Sequence, residues 1–176
     1  MKFLAVAVSL CAAALSFAAD TPAVRKAPEL AFSIPGEGQK LLSEYHGKVV
    51  ALEFIFTTCP HCQAFSKMMT KVQSDYGSRG LQVLAIAIND NADLLVENFA
   101  KDFQVNFPVG WAPKDAMLAF MGYSSARFVV PQFALIDRQG MIRTQTTALE
   151  SDQWKQIMNE TAIRQHVEEL LSERKR

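Results

Sequence analysis

Cys59-Pro60-His61-Cys62 sets two thiols three residues apart, a spacing at which one helical turn brings both side chains to the same side and within reach of a disulfide. The residues leading in, Ala51-Leu52-Glu53-Phe54-Ile55, form an apolar run broken by one carboxylate and read as a strand buried on both faces. Pro60 fits the first turn of a helix but not its interior. Beyond it the apolar residues Phe65, Met68, Met69, Val72 and Tyr76 share one helical face, with Lys67, Lys71 and Gln73 turned away. The cysteines therefore sit where a central strand hands over to a helix N-terminus, a place for thiol chemistry.

That placement separates the two thiols. Cys59 heads the helix, where unpaired N–H groups and the positive end of the helix dipole favour a thiolate. Cys62 is one turn in and more covered. Cys59 is thus the attacking nucleophile, and Cys62 resolves the mixed disulfide. His61 adds a further donor beside the Cys59 sulfur and, when protonated, a positive charge.

The surrounding elements are legible in outline. Residues 81–88, Leu-Gln-Val-Leu-Ala-Ile-Ala-Ile, form a second buried strand at βαβ spacing from the first. Asn89-Asp90-Asn91 offers caps for a helix carrying Leu94, Leu95, Phe99 and Phe103, and Pro113 opens a short helix over residues 114–121 closed by Gly122. Between these helices the Trp111 stretch reads as a loop. Val129-Val130-Pro131 heads an apolar strand through Ile136, with the proline at the strand's first residue. Asp137-Arg138-Gln139-Gly140 turns it back antiparallel into residues 141–147. Upstream, Ala31-Phe32-Ser33 and Lys40-Leu41 flank Pro35-Gly36-Glu37-Gly38 as a hairpin, residues 42–45 form a helical turn, and His46 is a surface-loop histidine. At the end, residues 151–158 form one turn and Ile163, Val167, Leu170 and Leu171 mark a final amphipathic helix with His166 at its edge.

The dithiol stretch resembles the active site of the thioredoxin superfamily, and Leu52-Glu53-Phe54 through Cys59-Pro60-His61-Cys62 resembles in detail the periplasmic oxidant DsbA. Residues 28–147 are similar as a whole to the TlpA/ResA group of exported thiol–disulfide oxidoreductases. The similarity includes Gly47-Lys48-Val49-Val50, Phe107-Pro108-Val109-Gly110 and Pro131-Gln132-Phe133-Ala134-Leu135-Ile136-Asp137. It implies an α/β thioredoxin-like fold: a central mixed β-sheet flanked by helices, with an N-terminal hairpin and a helical insertion. It also implies that Pro131 is cis and faces the cysteines, with the Val130 main chain offered to an extended substrate. Glu53, six residues before Cys59, matches the position of a buried carboxylate behind the second cysteine. Among apolar neighbours such a group is desolvated, its titration pushed upward, and it can exchange a proton with Cys62. The departures bear on direction. The TlpA/ResA group often has Trp before the first cysteine, here Thr58, and ResA-type proteins carry a glutamate three residues after the second, here Phe65. The CPHC sequence points to the oxidising side, because a stabilised thiolate stabilises the reduced form. The alternatives are a periplasmic reductant of the TlpA/ResA type, as in cytochrome c maturation, and a copper protein of the Sco type. The second would need CxxxC and a downstream histidine, but no histidine lies between His61 and His166. A thiol peroxidase would need threonine where Phe56 stands.

The ends and the composition bound the rest. Residues 1–19 have Lys2 as their one charge, an apolar run through Leu15 and small residues at Ser16-Phe17-Ala18-Ala19. This is a secretory signal peptide, too short for a comfortable span, with cleavage after Ala18 or Ala19. A lipid anchor on Cys11 is disfavoured by Leu10 before it. Residues 20–27 read as a linker and 28–176 as one thioredoxin-like domain. Cleavage leaves only Cys59 and Cys62 of the three cysteines, so no structural disulfide framework exists, and a lone CxxC without two further ligands is a poor zinc site. The expectation is a periplasmic or otherwise exported monomer with no metal and no cofactor beyond its own cysteines, and no stable membrane span after cleavage. Its partners are protein thiols and disulfides together with a separate redox partner. Lys and Arg total 18 against 18 Asp and Glu, so there is no net basic charge to draw nucleic acid.

Overall fold

All seven residues of Val49–Ile55 are buried, which requires cover on both faces of the strand and explains why its sequence is apolar without alternation. The computed structural model describes residues 24–173. The expected signal peptide with Cys11, and the expected linker up to residue 23, lie outside the described residues, as do the last three. In chain order the strands are β1 (Arg25–Lys26), β2 (Ala31–Ile34), β3 (Gly38–Leu41), β4 (Val49–Ile55), β5 (Leu81–Ala87), β6 (Val109–Trp111), β7 (Gln132–Ile136) and β8 (Met141–Gln145). The helices are α1 (Pro60–Tyr76), α2 (Ala92–Asp102), α3 (Lys114–Met121), α4 (Asp152–Ile157) and α5 (Glu160–Ser172). A 3-10 turn spans Leu42–Tyr45.

The strands form one mixed sheet in the order β1-β8-β7-β4-β5-β6-β2-β3. The core is the parallel unit β4-α1-β5, with β7 antiparallel on the other edge of β4. Side chains alternate across the sheet. Val49, Ala51 and Ile55 of β4 join Cys62, Phe65, Met69 and Val72 of α1, Val96 and Phe99 of α2 and Ile163, Val167 and Leu170 of α5 on one face. Val50, Leu52 and Phe54 join Phe32, Leu42, Met117 and Phe120 on the other. The result is the expected α/β sheet covered on both faces, with β2 and β3 as the N-terminal hairpin.

Several local expectations are corrected. The Trp111 stretch is strand β6, parallel to β5 and touching β2 at Ser33↔Trp111; at three residues it is too short to show periodicity. Arg25 and Lys26, assigned to the linker, pair with Ile142 and Met141 of β8. In α2 the buried residues are Ala92, Val96 and the expected Phe99, whereas Leu94 is 72% exposed. Asn91 is the N-cap of α2, but in a left-handed conformation and without a side-chain cap bond. The apolar strand after the proline opens at Gln132, one residue later than expected.

Gly110 shows how tightly the added strand is fitted. A Cβ there would lie 2.4 Å from the Ser33 carbonyl oxygen, a backbone atom that cannot swing aside. Gly110→Ala is expected to cost about 1–3 kcal/mol, read as a lower urea midpoint at unchanged m-value. An unchanged midpoint would show that the β2–β6 junction has slack.

Candidate active site

The strand-to-helix turn is built by main-chain pairing. The Cys59 N–H donates to the Phe56 carbonyl at 3.1 Å and the Gln63 N–H to the Cys59 carbonyl at 3.0 Å. Thr57 is pinned from both sides: its N–H donates to Asn89 Oδ1 at 2.9 Å, and its carbonyl accepts from Gln63 Nε2 at 3.0 Å. The Asn89 side chain thus serves the dithiol loop and does not cap the helix it precedes. Asn89 and Gln63 were not legible as functional residues, because their partners lie on other elements.

Cys59 is the N-cap of α1, with extended φ,ψ of −83° and 119°, and Pro60 follows at the first helical position. An N-cap side chain ordinarily accepts from the N–H groups of the first turn. Cys59 makes no such side-chain bond, and the first turn of α1 holds no acidic residue. Both sulfurs are free thiols, Cys59 half-buried and Cys62 buried. His61 and Pro60 are exposed at the helix start.

Cys62 is the contrasting partner. It is wholly inaccessible, and its Sγ accepts from the Phe56 N–H at 3.5 Å. Burial pushes its thiol far above the usual range; the Phe56 N–H opposes this, while the Cys59 sulfur and Glu53 add to it. The deprotonation of Cys62 therefore needs an acceptor.

Glu53 lies beneath. It points to the α1 face of β4 between Ala51 and Ile55, with β5 on one side and β7 on the other. Fully buried, its carboxyl is pushed up to about 8 by desolvation, and the hydrogen bond from Ser66 pulls the other way. Ser66 Oγ donates to Glu53 Oε1 at 2.8 Å, whereas Oε2 is buried without a partner. Ser66 is four residues after Cys62, on the same helical face. A small polar residue inside an apolar stripe was the available signal for it.

Val130–Pro131 is cis, as the resemblance implied. The antiparallel register Phe54↔Gln132 carries Pro131 and Val130 past the carboxyl end of β4, the end from which Phe56 leads to Cys59. Pro131 is buried, and Val130 and Cys59 pack against the same apolar cluster. His46 is exposed in its loop and His166 half-buried on α5. No described helix is long and apolar enough to cross a membrane.

The model of the AhpC/TSA family matches residues 24–145. The thiol-disulfide oxidoreductase ResA of Geobacillus thermodenitrificans is 28% identical over 144 residues, 82% of this chain and 75% of the relative. ResA of Bacillus thuringiensis subsp. konkukian is 29% identical over 107 residues, and the match spans 59% of that protein. Among solved structures, a Chlorobium tepidum protein assigned as the thiol:disulfide interchange protein DsbE superposes with a TM-score of 0.67 at 25% identity, covering 85% of this chain and 97% of that one. The thioredoxin domain of a Bacteroides vulgatus thiol-disulfide oxidoreductase, at 15% identity and a TM-score of 0.62 over 81% of this chain and 95% of that one, is alike in fold. The chain belongs to the AhpC/TSA family, with a thioredoxin-like fold and the paired thiols of a thiol–disulfide oxidoreductase.

Proposed function

We propose that the protein is an exported oxidant of protein thiols, cycling its Cys59–Cys62 pair between disulfide and dithiol. The observation that carries this reading is the asymmetry of the pair: a half-buried sulfur at a helix N-cap, and a buried one over a buried carboxyl. A substrate thiolate attacks Cys59 of the disulfide, forming a mixed disulfide and releasing Cys62. The protonated Glu53 gives its proton to the departing Cys62 sulfur, directly or through water. A second substrate thiolate then attacks the mixed disulfide, releasing Cys59 as a thiolate and leaving the substrate as its disulfide. Two electrons pass to the pair, and a separate disulfide-bearing partner removes them. In reverse, ionised Glu53 takes the proton from Cys62 as Cys62 attacks the mixed disulfide. Val130 and Pro131 border the sulfur where the substrate chain is held.

The oxidising direction is argued from placement: Cys59 heads α1, whose first turn holds no acidic residue, and His61 follows in that same turn. The test is the potential of the pair in equilibrium with glutathione. It is expected above thioredoxin's, which is about −270 mV. Replacing His61→Pro should lower it by roughly 30 mV, a tenfold change in the equilibrium constant. A wild-type potential at or below thioredoxin's would favour a reductant of the ResA kind, named for the relatives above.

A further inference from the structure

Gln132 is fully buried and takes no part in the thiol chemistry, yet its amide is satisfied on both sides. Nε2 donates to the Val129 carbonyl at 2.8 Å and to the Ala148 carbonyl at 3.2 Å. Oε1 accepts from the Tyr123 hydroxyl at 2.5 Å and from the Thr146 hydroxyl. The orientation follows from chemistry, since two carbonyls can only accept and so must face the NH2. Thr146 Oγ1 also accepts from the Phe133 N–H at 3.0 Å, and the Val129 N–H donates to the Ala148 carbonyl at 2.9 Å. One side chain thus joins the end of α3, the end of β8 and the residue two before Pro131. Before this clamp, Ser124 to Arg127 run exposed; after it, the Val130 N–H and carbonyl pair with nothing among the described residues.

Such a network is costly to bury and stabilising only when every member is satisfied. Here it surrounds the main chain on either side of Val130 and leaves Val130 itself open. We propose that Gln132 is a positioning residue for substrate: by holding Val129 and Ala148 it presents the Val130 main chain to an extended polypeptide, favouring chain substrates over small disulfides. This rests on the assignment of Val130 and Pro131 to substrate binding.

The test uses Gln132→Met, which keeps the length and loses the bonds, assayed against a cysteine-containing peptide and against glutathione, with the glutathione equilibrium of the Cys59–Cys62 pair as a third reading. The KM for the peptide should rise about tenfold, as expected when the Val130 N–H and carbonyl lose their two bonds to the peptide. Its kcat, the rate with glutathione and the redox equilibrium should stay within about twofold, less than the loss of one hydrogen bond would cost. Tyr123→Phe removes one donor to Oε1 and should raise the same KM by a smaller factor; it carries the test if Gln132→Met does not fold. An unchanged peptide KM, or equal losses with peptide and glutathione, would overturn the proposal. A wild-type protein that exchanges with glutathione but with no peptide would instead overturn the substrate assignment beneath it.

Discussion

Glu53→Gln is expected to slow resolution of a mixed disulfide by about a hundredfold, within the range that positioned acid–base groups contribute, while attack by Cys59 stays within a few-fold. The reason lies in the burial of Cys62, whose thiol is pushed far up by desolvation and cannot lose its proton to water. Glutamine keeps an oxygen to accept from Ser66, preserving the 2.8 Å contact, but it can neither take nor give a proton. With the wild type, resolution should accelerate as pH rises toward about 8, where Glu53 ionises. The variant should lose that rise. Stopped-flow measurement of the two steps, with Cys62→Ser to isolate the first, separates them. Equal rates in wild type and variant across the pH range would remove Glu53 from proton transfer.

The same substitution should make the protein more stable at neutral pH. Burial raises the Glu53 carboxyl from 4.5 to about 8, desolvation outweighing the Ser66 bond. The native state therefore holds a proton that the unfolded chain has released, so the contribution is full below about 4.5 and is lost as pH climbs through about 8. At pH 7 the burden on the native state is roughly 3 kcal/mol. Glutamine carries no charge to desolvate, though its amide nitrogen would stand where Oε2 already lacks a partner, which returns about 1–3 kcal/mol of the gain. Denaturant unfolding should show wild-type stability falling between pH 5 and pH 8, and a flatter profile for Glu53→Gln. Parallel profiles would mean that the carboxyl is not buried in an unpaired state. The proposed proton transfer and stability would pull against each other at this one residue, as is common for active-site groups.

Local sequence carried the parts of the protein that local physics controls. The apolar strand, Pro60 and the helical stripe from Phe65 to Tyr76 are enough to place two thiols at a helix start, because a strand–helix junction is written in a change of period from two to 3.6. The different burial of Cys59 and Cys62 follows from depth along one turn. The desolvation of Glu53 follows from its neighbours in a two-faced strand. Tertiary structure decided what depends on pairing between distant segments. Strand β6 was invisible because three residues carry no pattern, and it exists because β5 and β2 supply its edges. Arg25 and Lys26 are strand only because β8 lies beside them. Ser66 meets Glu53 through the packing of α1 on β4, Asn89 reaches Thr57 across the sheet, and Gln132 joins groups brought together from residues 123, 129, 146 and 148. A hydrogen bond between side chains far apart in sequence leaves no periodic trace, so the buried polar network around the site could be known only from the fold.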